Sequence, residues 1–145
     1  MPDELEEKTI EHEEFEKIIM NKLLDGKHEI LEGLKNQYLK KSVISREFTG
    51  CSFFTHFDVP HSMTLDHING KIDDLKAEFI NYKGDYLLFI LYITNGKLDV
   101  LECFTTLDSW EKDYDVLIDY CFKPVRKFEI NGQYQSSKPI PQLIQ

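Results

Sequence analysis

Positive charge is outnumbered in this chain. It carries 17 lysines and arginines against 26 aspartates and glutamates, for a formal net charge of -9. A nucleic-acid binder needs a basic face, because phosphate neutralisation dominates its affinity. Nucleic acid is therefore not an expected partner. Acidity suits a basic protein partner, or solubility alone. Only two arginines occur, Arg46 and Arg126.

Cysteine is scarce as well. Cys51, Cys103 and Cys121 are odd in number and show no CxxC or zinc-type spacing. Each sits in an apolar run, which suits a buried reduced thiol. The glycines form no phosphate-cradling GxxxxGK[ST], and there is neither a GxSxG nor an HExxH. Cys51 and His56 are five residues apart on a strand and face opposite sides, so they make no nucleophile–base pair. No cofactor is implied, and no enzyme class has a motif here. The longest apolar run, Tyr86–Ile93, is far too short for a membrane-spanning helix. The acidic N-terminal segment has the wrong sign for anionic lipid, so no membrane partner is expected. Its start, MPDELEEKT, lacks the basic head and apolar core of a signal peptide, which sets the expectation of a cytoplasmic protein.

What the chain does have is a strong hairpin. In YLLFILYITNGKLDVLECFT (Tyr86–Thr105) two apolar runs flank Asn95-Gly96, which suits a type I′ turn. A regular two-residue turn pairs Ile93 with Leu98, Leu91 with Val100, Phe89 with Glu102 and Leu87 with Phe104. The opposite face carries Tyr86, Leu88, Ile90 and Tyr92. Both faces are then apolar, and the second needs a cover: the C-terminal arm or a neighbouring subunit.

Helices precede this hairpin. Residues 3–24 place Phe15, Ile18, Ile19 and Leu23 on one stripe, with Glu11, Glu13, Glu14 and Glu16 around it. Asp25-Gly26 reads as a stop. A second helix follows at about 28–41, unless one long helix bends at Gly26. Val43–Thr49, Cys51–Asp58 and Ile72–Tyr82 read as strands, with His61–Gly70 a loop and Asn69-Gly70 a turn signal. Asp115–Phe122 and Arg126–Ile130 read as a final strand pair, with a helix over 111–121 as the other option. The end, QYQSSKPIPQLIQ, reads as an extended arm. The expectation is one α+β domain over 1–145: helical over 1–41, a sheet over 43–130 and an arm over 131–145. Two helices pack on a mainly antiparallel meander of about five to seven strands.

Two constellations could carry chemistry. Glu102 falls on an apolar face in the regular register, and so does Arg46, beside Ile44 and Phe48. A buried carboxylate needs a partner, and arginine is the residue of choice for it. The two are expected to pair, either structurally or in a polar pocket. The second is HFDVPHSMTLDH, with His56, Asp58, His61, Asp66 and His67. These are metal-ligand types, but their spacing matches no known site, so no metal is expected. Trp110 and Tyr114 are candidate anchors for a partner, together with Glu11, Glu13 and Glu14. The alternative for Trp110 is a cap on the core edge.

REFTGCSFFTHFDVP (Arg46–Pro60) and NGKLDVLECFT (Asn95–Thr105) carry a resemblance. They resemble small bacterial single-domain proteins with an R-x-x-T-G-x-G-F-F-T stretch and a later dG-x-l-x-x-LEG-(y/f)-T hairpin. Some of those look like immunity partners in bacterial toxin systems. Ser52 and Cys103 stand where that pattern has glycine. The resemblance covers the sheet half, marks Arg46 and Glu102, and brings no catalytic residue. Together with the small size, the acidity and the absence of a catalytic motif, it implies a non-enzymatic binding protein, an immunity-type inhibitor of a basic toxin domain such as a nuclease. The alternative is a small enzyme or ligand-binding domain with a pocket around Glu102 and Arg46. A homodimer is a third expectation.

Overall fold

A computed structural model of the chain describes residues 2–137, with side chains from residue 10 onward. Two helices, α1 (Pro2–Leu23) and α2 (Glu29–Lys40), precede nine strands. These are β1 (Ser42–Phe48), β2 (Ser52–Asp58), β3 (Gly70–Ile72), β4 (Leu75–Phe79), β5 (Tyr86–Thr94), β6 (Lys97–Thr105), β7 (Val116–Tyr120), β8 (Lys127–Ile130) and β9 (Gln133–Ser136). All pair antiparallel in one sheet of order β1-β2-β6-β5-β3-β8-β9, with β4 on β5 and β7 on β4. The α+β class with N-terminal helices is as expected. The strand count exceeds the expected range, and the sheet is forked rather than a simple meander.

The fork follows from β5. Its Leu91–Ile93 half pairs with β3 and its Tyr86–Leu88 half with β4. The single strand expected over 72–82 breaks between β3 and β4, where Asp74 is buried. The two late strands do not pair with each other: β7 extends β4, and β8 extends β3. Residues 116–120 are strand, not helix. Part of the expected arm is β9, folded onto β8 through Asn131-Gly132, whose φ angles are 52° and 78°. That dipeptide carries the same turn signal as Asn95-Gly96. The rest of the arm, 138–145, lies outside the described residues. Asn69-Gly70 makes no hairpin. Gly70 opens β3, and a Cβ there would overlap the backbone oxygen of Glu129.

Both helices lie on one side of the sheet. Phe15, Ile19, Leu23, Leu31 and Leu34 are buried together with Phe53, Phe57, Phe89, Leu91 and Leu101. Ile18, expected in that stripe, is 46% exposed. Gly26, at φ 132°, separates the helices. His28 caps α2, its Nδ1 accepting from Ile30 N at 3.1 Å. α2 is pinned to the hairpin tip by Gln37, which donates to Met63 O and Gly96 O and accepts from Leu98 N.

The hairpin register departs from the regular one. Thr94 pairs with Lys97 and Ile93 with Leu98, as the turn dictates, but Tyr92 then pairs with Val100. Asp99 is an extra residue, and its carboxylate accepts from Thr94 Oγ1 at 2.8 Å. Beyond this bulge Leu91 faces Leu101, Ile90 faces Glu102, Phe89 faces Cys103 and Leu88 faces Phe104. A one-residue shift turns every later side chain to the other face. The expected Leu91–Val100, Phe89–Glu102 and Leu87–Phe104 pairs are therefore replaced. A second bulge leaves Ile44 unpaired in β1 and 67% exposed.

Candidate functional site

Arg46 and Glu102 do not meet. Arg46 pairs with Thr55 on the helix side of the sheet, while Glu102 pairs with Ile90 and Phe54 on the opposite side. The Asp99 bulge is the reason. The expected ion pair, and any pocket shared by the two, is absent. Glu102 instead accepts from Tyr92 Oη at 3.0 Å.

Arg46 has another carboxylate. Its Nε and Nη2 donate to the two oxygens of Glu16, both at 3.0 Å, and Glu13 lies 3.8 Å from Nη1. Thr55 Oγ1 donates to Glu16 Oε2 at 2.5 Å. One turn earlier on α1, His12 Nε2 stands 3.4 Å from Glu16 without completing a hydrogen bond, and His12 Nδ1 is 2.8 Å from Tyr114 Oη. Phe48 and Phe53 meet the His12 ring edge-on. His12 and Glu16 are each 2% exposed. Burial alone would raise the Glu16 carboxyl. The contacts of His12, Arg46 and Thr55 and the charge of Arg46 outweigh it and bring the pKa down from 4.5 to about 2. Hydrogen bonding to Glu16 raises Arg46 in return. Burial likewise pushes the Tyr114 phenol above its ordinary value. This knot holds α1 to the edge strand β1. A sealed carboxylate that stays ionised and saturated with donors is an anchor rather than an acid or base.

The second arginine makes a second knot at the fork. Arg126 is fully buried. Its Nε and Nη2 clamp Asp74 at 3.0 and 2.5 Å. Its Nη1 donates to the carbonyls of Lys22, Leu23 and Asp25, at and just beyond the C-terminal end of α1. Tyr120 packs its ring 4.6 Å from the guanidinium and donates to Lys22 O at 2.7 Å. Sequence reasoning did not find Asp74 or its bond to Arg126. The available signal was an aspartate pair, Asp73-Asp74, interrupting a strand, and a chain with only one other arginine.

Of the histidine cluster, Asp58 and His61 line one open cleft of about 360 Å³ beside the hairpin tip, with Lys97 and Asp99. His56 points elsewhere and contacts Glu47 at 2.6 Å. Asp66 and His67 are exposed in the loop. Among the described residues, no three His, Cys, Asp or Glu side chains are grouped to hold a metal ion.

The expected anchors divide. Trp110 is 7% exposed, stacked on Phe53 with ring centroids 6.0 Å apart, and donates from Nε1 to Asp113 O. Tyr114 packs against Phe15 and His12. Trp110 closes the end of the core under α1, and Tyr114 stands half-buried beside it. Glu11, Glu13 and Glu14 are exposed on α1, where Ile10 and Ile18 are 61% and 46% exposed. No family model, curated protein or solved structure matches the chain. Among the described residues no helix is long and apolar enough to cross a membrane.

Proposed function

We propose that this chain is a non-enzymatic binding protein that uses the outward face of α1 to dock a basic protein domain. One observation carries the reading: Ile10 and Ile18 stand exposed among Glu11, Glu13 and Glu14 on a helix whose other face is locked to the sheet. Apolar contact supplies affinity and the carboxylates supply complementarity to lysines and arginines. The Glu16 and Arg126 knots fix the helix before binding, which lowers the ordering cost. The net charge of -9 favours fast, salt-sensitive encounter with a cationic partner. The resemblance of Arg46–Pro60 and Asn95–Thr105 to immunity-like proteins narrows the partner to a toxin domain such as a nuclease, with inhibition by occlusion.

The test uses the basic domain encoded beside this chain's gene, in titration calorimetry at low and high salt. Binding that weakens with salt, and weakens further in Glu11→Lys/Glu14→Lys, supports the reading. An absence of binding at low salt, or affinity untouched by the charge reversal, overturns it. A second reading rests on the cleft at the hairpin tip, where Asp58, His61, Lys97 and Asp99 surround space for a small polar ligand. A fragment screen by NMR that leaves the His61 and Asn95 signals unmoved would exclude it.

A further inference from the structure

The centre of the sheet side opposite the helices is apolar, inside a charged and polar surround. Antiparallel sheets commonly turn polar residues to water. Here the outward residues of the three strands β2, β6 and β5 include Phe54, Leu88, Ile90, Tyr92, Val100 and Phe104, all half-buried. Leu117 and Tyr134, on outer strands of the same face, are 64% and 77% exposed. The six central residues lie on adjacent strands and form an apolar strip, and such a strip on an open sheet face marks an interaction site.

The charges around the strip say what covers it. Glu102 lies beside Ile90 on the β6 flank of β5. Lys71 lies beside Tyr92 and Lys76 beside Leu88 on the other flank. Glu78 lies further along that flank, beside Tyr86, and Asp73 is 3.9 Å from Lys71, while Glu129 and Asp119 stand one strand further out; the two lysines are the cations that flank Ile90. Among the described residues Glu102 joins no ion pair. A two-fold axis parallel to β5, lying between two facing sheets, exchanges the flanks. It brings Glu102 of each copy over the gap between Lys71 and Lys76 of the other, with Ile90 near the centre. Aligned face-to-face packing of two sheets has this geometry.

We propose that this face binds a second copy of the chain, forming a two-fold dimer in which Glu102 pairs with Lys71 and Lys76 across the interface. The acidic α1 faces then point outward on both sides, so the dimer leaves them free.

The test is sedimentation velocity from low to high micromolar concentration, with circular dichroism to verify folding. Wild type is expected to dimerise, and Ile90→Lys to stay monomeric. Glu102→Lys alone and Lys71→Glu/Lys76→Glu alone each set like charges face to face, so each should dimerise at least about tenfold more weakly. Mixed one to one, these two variants should recover wild-type association, because both contacts in the mixed dimer are again opposite in sign. A monomeric wild type, a dimer unaffected by Ile90→Lys, or a mixture no tighter than its components overturns the proposal.

Discussion

Replacing Glu16 by glutamine keeps the shape of the buried side chain and removes its charge. Thr55 Oγ1 can still donate to the amide oxygen, but Arg46 loses the anion on which both its bonds converge. The magnitude follows from the carboxyl's displacement from 4.5 to about 2. One pKa unit is worth about 1.4 kcal/mol, so the ionised carboxylate contributes about 3 kcal/mol to folding near neutral pH. The folded value is the depressed one. The contribution is therefore complete above the unfolded value of 4.5 and disappears as pH falls through about 2. A domain of this size has about 5–15 kcal/mol in total, so the variant should still fold at pH 7. Urea unfolding of wild type and Glu16→Gln at a series of pH values should give a difference of about 3 kcal/mol at pH 7. That difference should shrink steadily below pH 4.5. A difference that stays constant with pH, or one below about 1 kcal/mol at pH 7, would refute the assignment of Glu16 as an ionised anchor.

Arg126→Lys should destabilise by about 3–5 kcal/mol in urea unfolding, because one ammonium cannot clamp Asp74 and also serve the end of α1. Gly70→Ala should cost about 2 kcal/mol or more in a thermal melt, since its Cβ meets the Glu129 oxygen, whereas Gly50→Ala, which meets nothing, should stay within about 0.5 kcal/mol. Trp110 is the only tryptophan and is nearly enclosed, so native fluorescence should be blue-shifted and weakly quenched by iodide, with Trp110→Phe abolishing the unfolding signal.

Element types were legible because they rest on local chemistry. The α1 and α2 boundaries follow from apolar spacing and from Gly26. The strands β1, β2, β5 and β6 follow from alternation and from Asn95-Gly96. What stayed hidden depends on long-range choices. Period alone could not show that Ile72–Tyr82 splits, because the reason is an arginine some fifty residues downstream that claims Asp74. The stripe on α1 was drawn from the side chains Phe15, Ile18, Ile19 and Leu23, yet the buried face includes His12 and Glu16 in place of Ile18. Hydrophobicity points away from a glutamate, and only the partners on β1 and β2 make its burial tolerable. Asn131-Gly132 carries the same turn signal as Asn95-Gly96, but the strand it returns, Gln133–Ser136, is short and polar and has no apolar alternation to mark it.

Asp99 shows how far one residue can reach. A two-residue turn sets register for the pairs next to it and carries no information past an inserted residue. With no bulge, Glu102 would fall among the buried side chains on the helix side, where a carboxylate needs a partner. With the bulge, Glu102 lies on the open face beside Ile90, and Arg46 is free for Glu16. The same shift sets Leu101 and Cys103 in the core and turns Val100 and Phe104 outward. The anchoring of α1 through Arg46 and the half-buried strip on the other side are therefore linked consequences of one register. The polar anomalies in the sequence were real, but the carboxylate that belongs to Arg46 lies thirty residues upstream on a helix.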